Sequence, residues 1–114
     1  MKEATTRRLK EMDFRLALNS CTDCGCEVWS RTIEYGSVRS IVSIRVTEVG
    51  FDYHHLFCPS EKLERAGKRW FDDPDPRDAQ NCFRDTWFAL REARQSLEGG
   101  IVRNVMRRLL EKVS

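Results

Sequence analysis

Val38-Arg39-Ser40-Ile41-Val42-Ser43-Ile44-Arg45-Val46-Thr47-Glu48-Val49 is the most regular stretch of this chain. Val42, Ile44 and Val46 fall on one face and Ser43, Arg45 and Thr47 on the other, the two-residue period of a half-buried antiparallel strand. Such a strand needs neighbours, and both flanks supply them. Before it, Glu27 to Tyr35 sets Trp29, Ile33 and Tyr35 on one face and connects through a tight Gly36-Ser37 turn. After it, Gly50 interrupts the pattern and Phe51 to Phe57 reads as a further short strand. Further upstream, Phe14, Leu16 and Leu18 alternate with Arg15 and Ala17, which predicts a strand, and residues 2–12, with Ala4, Leu9 and Met12 as a thin apolar stripe, predict a short helix.

The C-terminal half changes period. Pro59 is suited to open a helix reaching about Trp70, with Leu63, Ala66 and Trp70 inward. Asp72 to Pro76 forms a rigid polar connector. Arg77 to Glu98 then carries Ala79, Cys82, Phe83, Thr86, Trp87, Leu90, Ala93 and Leu97 at helical spacings, and Gly99-Gly100 is the expected stop. Ile101 to Val113 repeats the pattern with Ile101, Val102, Val105, Met106, Leu109, Leu110 and Val113. The expected architecture is α+β: a small antiparallel sheet with a zinc knuckle, packed against a C-terminal helical hairpin. It forms one domain over 1–114, with a zinc-binding ββ/α part at 14–70 and the hairpin at 77–114.

The zinc expectation rests on cysteine spacing. Of five cysteines, three fall in Cys21-Thr22-Asp23-Cys24-Gly25-Cys26, where a tight turn brings thiolates together. A second element, His54-His55-Leu56-Phe57-Cys58-Pro59, follows the predicted hairpin, and a thiolate at a helix start is stabilised by the exposed amides there. Cys21, Cys24 and Cys58 are the expected ligands. His55 is the expected fourth, through an H-x2-C pair, with His54, Cys26 and Glu61 as alternatives. In this arrangement the segment 14–70 resembles a treble-clef zinc finger, a knuckle followed by a β-hairpin and then a helix whose first turn brings the remaining ligands. The resemblance implies a structural Zn2+ ion. It departs at Cys58-Pro59-Ser60-Glu61, where a glutamate stands in place of a fourth cysteine.

No catalytic signature accompanies these ligands: no Ser-His-Asp order, no phosphate-binding Gly loop and no H-E-x-x-H run. A metal-dependent hydrolase is therefore the least favoured class, since two histidines leave few further ligands. With 20 basic against 18 acidic residues, net charge is +2, too small a field to imply nucleic acid by itself. Arg84, Arg91, Arg103 and Arg107 still offer a local basic surface for phosphates. The aromatic pairs Trp70-Phe71 and Trp87-Phe88 point instead to a protein partner, because a helix in so small a domain buries only one member of an adjacent pair, leaving Phe71 or Phe88 as an exposed anchor. The favoured function is a non-enzymatic, zinc-stabilised regulatory binding protein engaging a protein partner, ahead of nucleic-acid binding. The chain has no apolar run of membrane-spanning length and its start lacks the apolar core of a secretory signal, so a cytoplasmic location is expected.

Overall fold

The alternating stretch at the centre of the chain forms the middle of a four-stranded antiparallel sheet. The computed structural model describes residues 2–17, 26–47, 49–68 and 75–113, with backbone alone for Lys2, 100–108 and Val113. Its elements are α1 (Lys2–Glu11), β1 (Arg15–Leu16), β2 (Glu27–Tyr35), β3 (Val38–Val46), β4 (Phe51–Pro59), α2 (Glu61–Arg65) and α3 (Pro76–Val113). The strands lie in the order β1-β2-β3-β4, all antiparallel. The β2–β3 hairpin matches the sequence expectation because alternation and a Gly turn are both local signals.

One face of the sheet is covered. Val38, Ser40, Val42 and Ile44 of β3 and Trp29 and Ile33 of β2 are buried against α3 residues Cys82, Ala89, Leu90, Ala93 and Leu97. Leu9, Met12 and Phe14 join this core from α1 and the residues after it. α1 stops because Asp13 takes a left-handed φ of 66°, which lets the Phe14 amide donate to the Leu9 carbonyl at 2.9 Å. Arg8 fastens α1 to α3 by donating to the Ser96 carbonyl at 2.8 Å. At the other end of the sheet, the Gly36-Ser37 turn meets α3, where the Ser37 amide donates to Asp78 Oδ2 at 3.3 Å. Gly36 has φ 51°, and a Cβ there would stand 1.9 Å from that same oxygen. Only glycine lets the turn approach the helix so closely.

Four expectations are corrected. There is no helical hairpin: α3 is one helix of 38 residues that runs through Gly99-Gly100. Helix-ending glycines adopt a left-handed φ, and among the described residues the positive-φ glycines are Gly36, Gly50 and Gly67, not Gly99. At 1.5 Å per residue α3 is about 57 Å long, and it accounts for a molecule 62 Å in its longest dimension. The radius of gyration is correspondingly 17.3 Å, against about 13 Å for a compact chain of this length. The second correction is to β1, which has two residues with Leu16 exposed; Leu18 lies outside the described residues. The third is to the segment read as a helix from Pro59. β4 continues through Pro59, and Ser60 caps a single-turn α2 by accepting from the Leu63 amide at 3.3 Å. The fourth is on α3, where Phe83 and Trp87 are exposed although their spacing suggested the inward stripe.

Candidate functional site

The exposure of Phe83 and Trp87 has a geometric cause. The buried α3 positions, from Ala89 through Cys82, Ala93, Thr86 and Leu97 to Leu90, cover an arc of about 100° at 100° per residue, and α3 lies over β2 and β3. Phe83, Arg94 and Trp87 fall about 100–140° from Cys82, beyond that arc on the β4 side. There Phe83 stacks on Phe57 of β4, with centroids 5.1 Å apart and planes 3° from parallel. Phe57 in turn meets His55 edge to face at 5.4 Å, and Arg94 lies 5.2 Å over the Tyr53 ring. Phe83 at 61% and Trp87 at 66% exposure therefore form an aromatic shelf along one flank of α3. Phe88, 57% exposed, is on the opposite flank, the side on which Asp85 bonds Tyr35 of β2.

The shelf borders the outer edge of β4. β4 pairs with β3 through nine consecutive residues without a bulge, and among the described residues no strand pairs with its outer side. The hydrogen-bond phase of this edge follows from its two ends. Ser60 N–H donates to Ser37 O and Thr47 N–H to Gly50 O, both at 2.9 Å. These bonds continue the β3–β4 register, so the even-numbered residues of β4 bond to β3. Phe51, Tyr53, His55 and Phe57 then aim their N–H and C=O groups outward. The same four residues pair with Val46, Ile44, Val42 and Ser40, so their side chains lie on the α3 side. At mid-strand, His54, His55 and Leu56 are all exposed.

Tyr53 is half-buried against the core, with its hydroxyl oxygen shielded from solvent. Its hydroxyl has no hydrogen-bond partner among the described residues, and burial, aided by the Glu98 carboxylate and opposed by Arg94, raises the phenol pKa well above its ordinary value. On the outer face of the sheet Arg45 pairs with Asp52, which lowers the carboxyl pKa.

The expected metal ligands are not brought together where they are described. Cys58 pairs with Arg39 and His55 with Val42, three residues apart on a strand of period two, so the two side chains lie on opposite faces of the sheet. In this strand the residues of the expected H-x2-C pair do not converge. Cys58 Sγ instead accepts from Arg39 Nε at 3.2 Å, and the same guanidinium pairs with Glu64 at 2.7 Å and Glu61 at 3.9 Å. Glu61 thus stands beside Cys58 but across a cation. His54 shares the face of Cys58 at a remove of four residues, about 13 Å along the strand. Cys26 precedes Glu27, which aligns with Val46, whereas Cys58 aligns with Arg39 and Glu34. Those rows are about 23 Å apart, while two sulfurs on one zinc ion are within about 4 Å. Cys21 and Cys24 lie outside the described residues. Among the described residues no three His, Cys, Asp or Glu side chains converge to hold an ion.

The remaining candidates divide. Arg84 and Arg91 are exposed on α3, Arg84 held by Asp85 at 3.2 Å. The side chains of Arg103 and Arg107 and all of Phe71 are outside the described residues. Cys82 is fully buried, its thiol pKa raised by burial, as its place on the apolar stripe implied. The β4 edge and the Phe83–Trp87 shelf were not singled out from the sequence; the signal available was the run of aromatics Phe51, Tyr53 and Phe57 at period two. Among the described residues no helix is long and apolar enough to cross a membrane. No family model, curated protein or solved structure matches this chain.

Proposed function

We propose that this chain is a non-enzymatic binding protein of the cytoplasm that takes an extended segment of a protein partner onto the outer edge of β4 and regulates that partner by occupying it. The observation that carries this reading is the juxtaposition of outward-facing amides at Phe51, Tyr53, His55 and Phe57 with the exposed ring of Trp87 and the Phe57–Phe83 stack. Backbone amides supply affinity for any strand in the right register, and the shelf selects apolar side chains on its α3-facing positions. Long, regular, apolar edges are rare without charge, proline or a bulge to blunt them, and β4 has none of these before Pro59 except Asp52, whose carboxylate is engaged by Arg45.

Zinc enters as a second proposal, confined to the cluster Cys21, Cys24 and Cys26, whose C-x2-C-x-C spacing supports a local ion that stiffens the chain ahead of β2. This second proposal leaves Cys58 and His55 outside the ligand set, because the strand directs them to opposite faces.

The test is amide hydrogen exchange of dilute protein with and without a synthetic peptide copying residues 51–59. Protection of the Tyr53, His55 and Phe57 amides, surviving a rise from about 50 to about 500 mM salt, is expected. Failure of the peptide to protect them, combined with binding to duplex or single-stranded DNA that collapses over the same salt range, would instead favour phosphate contact through Arg84 and Arg91.

A further inference from the structure

We infer that the segment occupying the β4 edge is β4 of a second copy of this chain, so that two four-stranded sheets join into one continuous eight-stranded sheet. This rests on the reading of that edge as a strand-addition site. An antiparallel pairing centred on His55 sets Tyr53 against Phe57 of the second copy and Phe51 against Pro59. Every outward amide then meets an outward carbonyl: Phe51 to Pro59, Tyr53 to Phe57, His55 to His55 and Phe57 to Tyr53. The one residue of the edge that lacks an N–H, Pro59, falls at the end of the ladder, where it interrupts nothing.

The side chains agree with the backbone. Cross-strand partners on the α3 face would be Tyr53 with Phe57, twice, an aromatic pairing that antiparallel strands favour. That face of the edge carries no Asp, Glu, Lys or Arg between Phe51 and Pro59, so the two-fold axis brings no fixed like charges together. α3 runs antiparallel to β4, with Phe83 beside Phe57 and Arg94 over Tyr53. The axis therefore carries the Arg94 end of one copy beside the Phe57–Phe83 end of the other, bringing a guanidinium close to an aromatic pair.

The size of the contact fits a reversible dimer. Nine residues make an edge about 30 Å long. A contact made through one such edge and the shelf beside it belongs to the small class, below the roughly 800 Å² per partner of a standard interface. A contact of this class is of the reversible kind, formed and lost with protein concentration.

Sedimentation velocity over a concentration series tests this directly. A monomer–dimer equilibrium is expected, with the Tyr53, His55 and Phe57 amides becoming protected as dimer forms. His55→Pro removes one outward N–H and no bond to β3, and should shift dissociation at least tenfold weaker. Trp87→Ala, on the exposed shelf and outside the core, should weaken it severalfold without lowering the melting temperature, and serves if the proline variant misfolds. A protein that stays monomeric to about 1 mM while still accepting the 51–59 peptide overturns the second copy and leaves the edge as a site for another chain. A dimer that forms without protecting those amides, and that Leu109→Ser and Leu110→Ser abolish, overturns both by moving the contact to the end of α3.

Discussion

Replacing Gly36 by alanine attacks the contact that fixes α3 against the β2–β3 turn. Two costs add. The left-handed φ of 51° costs an L-residue roughly 1–2 kcal/mol. The new methyl group would lie 1.9 Å from Asp78 Oδ2 and 2.6 Å from its Cγ, so the carboxylate must swing away and release the Ser37 amide. Ser37 is 8% exposed, and an amide left unpaired there costs about 1–3 kcal/mol. Alanine recovers about 0.4–1 kcal/mol through the less flexible unfolded chain. The net is a destabilisation of about 2–3 kcal/mol, or roughly 8–15 °C in melting temperature for a domain of this size. Urea and thermal unfolding followed by far-UV circular dichroism measure it. The double variant Gly36→Ala, Asp78→Ala isolates the steric part: against an Asp78→Ala background, Gly36→Ala should cost only the backbone strain, about 1 kcal/mol. Equal costs in both backgrounds would refute the close approach of turn and helix, and a Gly36→Ala protein as stable as the parent would refute both parts of the reasoning.

Three further outcomes are expected. The Tyr35 hydroxyl bonds the Asp85 carboxylate and, with Arg84, holds its pKa below the ordinary carboxylate range; the stabilisation is present above about pH 4 and is lost as pH falls through the lowered folded value. Tyr35→Phe should therefore raise the Asp85 titration seen by carboxyl NMR, and the stability gap between parent and variant should narrow on acidification. Ser40→Ala should be neutral or stabilising by up to about 1 kcal/mol in urea unfolding, because the Ser40 hydroxyl is fully buried with no partner among the described residues. Metal analysis of purified protein should find one zinc that survives Cys58→Ser and His55→Ala and is lost in Cys24→Ser and Cys26→Ser; loss in the Cys58 variant instead would overturn the local assignment of the ion.

The parts of the architecture that were legible in the sequence are those governed by neighbours in the chain. Alternation over Val38–Val46 and Glu27–Tyr35, with a glycine turn between them, specifies a hairpin and its inward faces because the period of a strand repeats within a few residues. The helical character of 77–113 was equally plain, as was the burial of Cys82. Gly99-Gly100 misled because a glycine pair lowers helix propensity by only about 1 kcal/mol per residue. Whether the chain turns there depends on packing: Leu109, sixteen residues beyond Ala93, falls about 160° around the axis from it, so the two apolar stripes cannot face the same sheet along one straight helix, and Leu109 is exposed.

Tertiary structure alone decided which aromatics are exposed and on which faces of the sheet His55 and Cys58 lie. A sheet covers an arc of the helix lying on it, and the position of α3 over β2 and β3 left Phe83 and Trp87 outside that arc, beside the β4 edge with which no other described strand pairs. The spacing of His55 and Cys58 is compatible with shared ligation on a helix start, but a strand continued through Pro59 puts them on opposite faces. The residues fixed the local periods, and long-range pairing of β4 with β3 fixed what those periods presented to solvent, because a side chain's surroundings are set by contacts distant in the chain.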